Sequence, residues 1–267
     1  RRRVRRLRLY LRHSIGHDAA GALFLPGSLR EPMSQHVLLN NVEHRTLRVR
    51  AGHGAVLGDA VMRALIFPAE FRDVQAHYPI VFARDGERRF VPLALLGLAE
   101  GENLFLDDTR WDATYVPLSI RRQPFLVGVS GEERLLHVDL AHPRVRLDGG
   151  EALFHEHGVA TEYLERVKSV LLALHDGVVA TPAFIDALLR LELLESFVLD
   201  VTLDDGSQNR VAGYHTIDEA RLQALPGDAL EQLAREGHLL PIYMVLASMS
   251  RFRDLIERTN RRRAARS

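Results

Sequence analysis

The densest set of potential ligands in the chain is His155-Glu156-His157, with His142 thirteen residues earlier. On a strand, His155 and His157 share a face and could chelate a borderline metal through imidazole nitrogens. No carboxylate lies at a recognised third-ligand spacing, and the His-Glu-x-x-His motif of helical zinc proteases is absent. No metal is therefore expected, with His155 and His157 the only candidates, and solvated loop histidines beside Gly158 are the plainer explanation.

Other catalytic patterns fare no better. Asp107-Asp108, Glu132-Glu133 and Asp204-Asp205 are paired carboxylates, but neighbours on an extended chain point to opposite faces and do not converge on a substrate. Gly128-Val129-Ser130-Gly131 lacks the spacing of a nucleophile elbow. The glycines 52, 54 and 58 do not match the dinucleotide fingerprint, so no cofactor is expected. No residue is assigned a catalytic role, and a non-enzymatic protein is predicted. The alternative is a histidine enzyme in which His77, or His155 with His157, moves protons with a carboxylate distant in sequence.

Recognition chemistry is better represented. The only tryptophan, Trp111, lies in an aromatic stretch, residues 67–128, around which the chain is organised. Tyr78, Asn103, Trp111, Tyr115, Arg121 and Arg122 are the binding candidates, because aromatic and arginine side chains anchor recognition surfaces. Trp111 and Tyr115 are expected to be buried, with Arg121 or Arg122 alongside. A structural tryptophan covered by an arginine is the competing explanation.

The elements that position these residues follow from pattern. Ile80–Phe82, Arg89–Val91, Asn103–Leu106, Phe125–Val129 and Leu135–Asp139 are short β-type runs, punctuated by turns at Asp85-Gly86, Glu100-Gly101 and Ser130-Gly131. From Thr161 the apolar period becomes helical, and two helices are expected, joined at Asp176-Gly177, the second capped by Thr181 with Pro182 at its first position. A hairpin over residues 197–214 turns at Asp204–Ser207, and helices end the chain, the last from His238 to Arg258. The prediction is an α+β fold, an antiparallel meander of short strands packed with C-terminal helices in a single domain, with one sheet built from the meander and the late hairpin.

Composition narrows the classes further. With 267 residues, 46% of them apolar, the chain can build a sizeable core, and with no cysteine it has neither disulfides nor thiolate sites. This fits a cytoplasmic location. Lys168 is the only lysine, so the arginine richness is a compositional skew rather than a nucleic-acid signal. The net charge of zero divides into basic ends, residues 1–32 and 258–267, and an acidic body. Residues 1–32 are expected to be a disordered extension or a stretch upstream of a start at Met33, residues 33–257 the folded domain and 258–267 a basic tail. No nucleic-acid partner is expected. No segment reads as a membrane span.

Phe71-Arg-Asp-Val-Gln-Ala-His-Tyr-Pro-Ile-Val-Phe82, Glu102-Asn-Leu-Phe105, Trp111 with Tyr115-Val-Pro117, and Arg121-Arg-Gln-Pro-Phe125 together resemble the SapC family of bacterial proteins. Gly213-Tyr-His-Thr-Ile-Asp218 and Gly237-His-Leu239 are similar to the family's ending, and the resemblance spans about residues 36–257. It implies a surface-layer gene locus and neighbourhood with TonB-dependent outer-membrane receptors and flavin halogenases. It does not imply the transporter permease of the same name. The expectation is an accessory or binding protein in a surface-layer, outer-membrane uptake or peptide-related system, with a protein or peptide partner. The alternative implied is a peptide- or amino-acid-modifying enzyme working with a neighbouring halogenase or oxygenase.

Overall fold

A computed structural model describes residues 8–11, 35–85, 89–130 and 133–265. The rest of 1–32, Met33, the turn glycines 86 and 131, and Glu132 lie outside the described residues. In chain order the structure begins with strands β1 (Arg8–Leu11), β2 (His36–Leu38), β3 (Arg48–Val49) and β4 (Arg63–Leu65). Helix α1 (Phe71–Val74) precedes β5 (Ile80–Arg84), β6 (Phe90–Leu95), β7 (Leu106–Asp107) and β8 (Arg110–Trp111). Helix α2 (Leu118–Arg121) leads to β9 (Phe125–Ser130), β10 (Glu133–Asp139), β11 (Val145–Arg146) and β12 (Glu151–Ala152). The long α3 (Glu162–Arg190) is followed by β13 (Leu194–Thr202) and β14 (Gln208–Ile217), then α4 (Glu219–Gln223), α5 (Gly227–Arg235), α6 (Leu239–Ser248) and α7 (Phe252–Ala264).

All strand pairs among the described residues are antiparallel, as the alternating runs predict, and the fold is α+β. The chain's contacts gather into two compact units. The first holds residues 62–104 and 180–267 with β1; the second holds 35–61 and 105–179. The middle meander is divided between them. In the first unit β5 and β6 join the late hairpin in a six-stranded sheet, order β1-β13-β14-β5-β6-β4, as expected. In the second unit β9 and β10 pair instead with β2, because their apolar positions are taken up by a separate core.

The first unit's core is aromatic. Phe184 meets Phe71 edge-on at 5.9 Å, lies 6.4 Å from Phe82 and touches the His238 ring at 5.6 Å. Ser248, fully buried, accepts from Ile80 N–H at 2.9 Å and so ties α6 to the start of β5. In the second unit Leu47, Val49, Phe125, Val138 and Leu153 pack with Leu164, Val167 and Leu171 of α3.

Helix α3 overturns one expectation. The pattern predicts two helices broken at Asp176-Gly177, yet a single helix runs through both Gly177 and Pro182. An internal glycine costs about 1 kcal/mol and an internal proline about 3 kcal/mol. The buried positions Val167, Val170, Leu171, Phe184, Ile185 and Leu188 continue the helical spacing on either side, and their burial outweighs that cost. Unbroken, α3 is also long and apolar enough to cross a membrane by length and composition, with a mean hydropathy of 1.4 in its most apolar window. Splitting it at Gly177 is what hid this in the sequence.

The C-terminal arginines bring a second correction. Residues 258–264 are not a tail but the end of α7. Arg258 donates to Leu104 O and Arg262 to Asn103 O, so the guanidiniums are consumed in satisfying carbonyls. Arg263 donates to Asp205 Oδ2 at 2.9 Å, and Asn260 Oδ1 accepts from Asp204 N–H at 3.1 Å, which fastens the hairpin turn to the helix. Residues 8–11 of the expected extension pair with β13 as an edge strand.

Hydrogen bonds from Ser207 and Arg263 hold Asp205 down at about 2. A carboxyl depressed in the folded state stabilises the fold above its unfolded value near 4, and that contribution is lost as pH falls toward the folded value. Acid titration of stability should therefore show a loss between about pH 4 and 2 that Arg263→Ala reduces. In the aromatic core, Phe184→Ala should cost about 3–5 kcal/mol in urea unfolding.

Candidate functional site

The six binding candidates do not form one surface. Tyr78 and Asn103 are buried in the first unit. Tyr78 is among the largest fully enclosed side chains, and the Asn103 carbonyl receives Arg262. Trp111, Tyr115, Arg121 and Arg122 belong to the second unit. Trp111 is buried as expected, but Tyr115 is only partly so. Arg122 turns inward and donates to Phe125 O at 2.8 Å, and burial lowers its pKa. Arg121 stands exposed on the last turn of α2.

What Trp111 meets is a histidine. The His53 ring packs edge-on against the indole at 5.2 Å. His53 belongs to the loop after β3, which begins by extending the β3–β11 ladder: Arg50 N–H donates to Arg144 O at 2.8 Å. The loop then wraps a carboxylate. Asp59, with no side-chain exposure, accepts both Arg144 Nη2 contacts at 2.8 and 2.7 Å and Gly54 N–H at 2.9 Å. His53 Nδ1 lies 3.4 Å from the same carboxylate. Arg144 Nη1 donates to Gly52 O at 2.6 Å, so one guanidinium satisfies both the acid and the loop backbone.

The glycines of this loop now have a physical reason. Gly52 and Gly58 have φ of 90° and 89°, a region that penalises any Cβ, and they let the chain close around Asp59. Burial pushes the Asp59 carboxyl up, but the nearby His53 imidazole, the Gly54 N–H and the Arg144 charge more than offset this and leave it below the usual range. His142 accepts from Arg144 N–H at 3.2 Å through Nδ1, and burial with the Arg144 charge lowers its pKa. Gln123 Oε1 and His142 Nε2 lie within about 4 Å of where a Cβ on Gly58 would stand.

Sequence reasoning missed Asp59, Arg144 and His53. The available signal was the Gly-x-Gly-x-x-x-Gly-Asp run, which failed as a phosphate loop yet still marked a closely turned segment ending in an acid. Its partner Arg144 is 85 residues away and carries no local pattern. Chemically, an imidazole oriented by a carboxylate can relay protons. Here the Asp59 charge is already shared with Arg144, and the cluster acts as a buried polar fastening.

The other candidates stay apart. His155 and His157 are exposed in a tight turn where Gly158 N–H donates to His155 O, and no group of three metal-ligating side chains occurs among the described residues. Partial burial and the nearby Arg251 and Arg258 lower the His77 pKa. A cleft of about 250 Å³ beside the α7 fastening, lined by Asp204, Asn260 and Arg261, is small against the roughly 300–1,000 Å³ of small-molecule sites.

Arg144→Ala leaves the Asp59 carboxylate buried without its counterion and should cost about 3–5 kcal/mol. The double variant Asp59→Leu/Arg144→Met should cost less than the sum of its single changes in a urea-unfolding cycle, because it leaves no lone buried charge. Since the folded Asp59 value is depressed, the wild-type contribution is present above about pH 4 and fades as pH falls below it.

Comparison with known proteins adds the identity of the family. No curated protein and no solved structure matches the chain. The model of the SapC family matches residues 39–255, most of the chain. The chain belongs to the SapC family.

Proposed function

We propose that this SapC-family chain is a non-enzymatic accessory protein that binds a peptide or protein partner in a surface-layer or outer-membrane uptake system. The observation that carries this reading is apolar surface in the second unit. Asn41 Nδ2 donates to Gly158 O at 3.0 Å, which sets Val42 and Val159 in adjoining loops, 83% and 64% exposed. Exposed aliphatic side chains in adjoining loops offer apolar contact to a partner. Arg121 is also exposed in this unit, and arginine is enriched at recognition surfaces. The clearest polar cluster, around Asp59, is closed off from solvent, which favours binding over catalysis, although His53 Nδ1, Gln123 Oε1 and Arg144 Nε have no hydrogen-bond partner there among the described residues.

Affinity capture from a native lysate tests the proposal, with Val42→Ser/Val159→Ser as the control. A defined envelope or peptide partner that the double variant fails to capture is the expected result. Recovery of only chaperones and ribosomal proteins in repeated trials would sink the proposal. In the same preparation, more than about 0.1 equivalent of a transition metal whose removal lowers the melting temperature would favour the histidine-enzyme alternative instead.

A further inference from the structure

Strand β9 ends its sheet, and the outward main-chain groups of Val127 have no hydrogen-bond partner among the described residues. In the order β2-β10-β9 it pairs only with β10 among the described residues. The register runs from Phe125 opposite Val138 to Ser130 opposite Glu133 without a bulge. Asp139 N–H donates to Pro124 O, so residues 124, 126 and 128 direct their main-chain groups toward β10. Phe125, Val127 and Val129 therefore direct theirs outward. At Phe125 both are taken locally, since its N–H donates to Arg122 O and its carbonyl accepts Arg122 Nη1. The next outward pairs belong to Val127 and Val129.

Natural edge strands are usually blunted by charge, proline or a bulge. Phe125-Leu-Val-Gly-Val-Ser130 has none of these. At its N-terminal end stands Arg121, exposed and four residues upstream of the strand, with no carboxylate partner among the described residues. A strand added antiparallel to β9 runs its C-terminus toward that end. We propose that β9 is a docking edge for an extended apolar peptide, added as a fourth antiparallel strand, whose C-terminal carboxylate is received by Arg121. The inference rests on the partner-binding reading and specifies its ligand. Main-chain hydrogen bonds from Val127 and Val129 supply the pairing, and the guanidinium supplies direction, since a peptide in the opposite sense places its amine there.

The test uses the full chain and the peptide acetyl-Thr-Val-Thr-Val with a free carboxylate, beside its C-terminal amide. Amide hydrogen exchange at Val127 should slow on adding the free acid. Arg121→Gln should weaken the free acid by roughly tenfold, the loss of one charge-assisted hydrogen bond, and leave the amide unchanged. Val127→Pro removes the outward N–H, which edge strands tolerate, and should abolish binding. If that variant fails to fold, the Arg121→Gln comparison decides alone. Exchange at Val127 that ignores the peptide overturns the proposal, as does an edge already protected in a dimer of this chain. A folded Val127→Pro chain that still captures the lysate partner rejects the β9 assignment and leaves the wider reading intact. Peptide docking at β9 without any lysate partner rejects the wider reading alone.

Discussion

The buried contact between Asp59 and Arg144 is the constraint on which the second unit is built. A carboxylate with no exposure is costly unless its charge is met and its lone pairs are filled. Both conditions are met by Arg144 Nη2, which reaches both carboxylate oxygens, by a backbone N–H from Gly54 and by the nearby His53. In meeting them the chain fixes the loop of residues 50–59 to the segment before β11, places His53 against Trp111 and sets the partly buried His142 beside Gly58. Removing one charge leaves the other stranded, whereas an apolar pair of similar volume could replace both. The ion pair is thus better understood as specifying one loop conformation than as a large net source of stability.

The first unit is held by different physics. Phe184 gathers Phe71, Phe82 and His238 into an apolar centre, and polar contacts fasten its margins. The arginines of α7 reach the carbonyls of residues 103 and 104 and the turn of the β13–β14 hairpin. Arginine serves this purpose well, because its planar fork supplies several donors from one preorganised side chain. The arginine excess of this composition is therefore partly consumed inside the fold. Asn103, attractive as a binding residue by its position beside aromatics, is buried at the centre of that arrangement.

These two solutions shape what is left for function. The Asp59 carboxylate is engaged by Arg144, and exposed valines, a strand edge unpaired beyond Phe125 among the described residues and an exposed Arg121 remain in the second unit. Main-chain edges and aliphatic patches recognise shape and extended backbone rather than a reacting bond.

Local pattern was enough for the features that depend on near neighbours. Period-two runs marked β5, β6, β9 and β10, and the turn at Asp204–Ser207 marked the late hairpin. The family resemblance was likewise carried by contiguous strings, and residues 39–255 match it. Tertiary structure decided the rest. Gly177 and Pro182 argue for a break in α3, but the burial on either side that keeps it whole is invisible to local propensity. The stretch 67–128 reads as one aromatic surface, yet its two halves lie in different units because their apolar faces serve different cores. Asp59 found Arg144 across 85 residues of chain, and a pairing at that separation leaves no periodic trace: the energy that selects it exists only once both groups have left water.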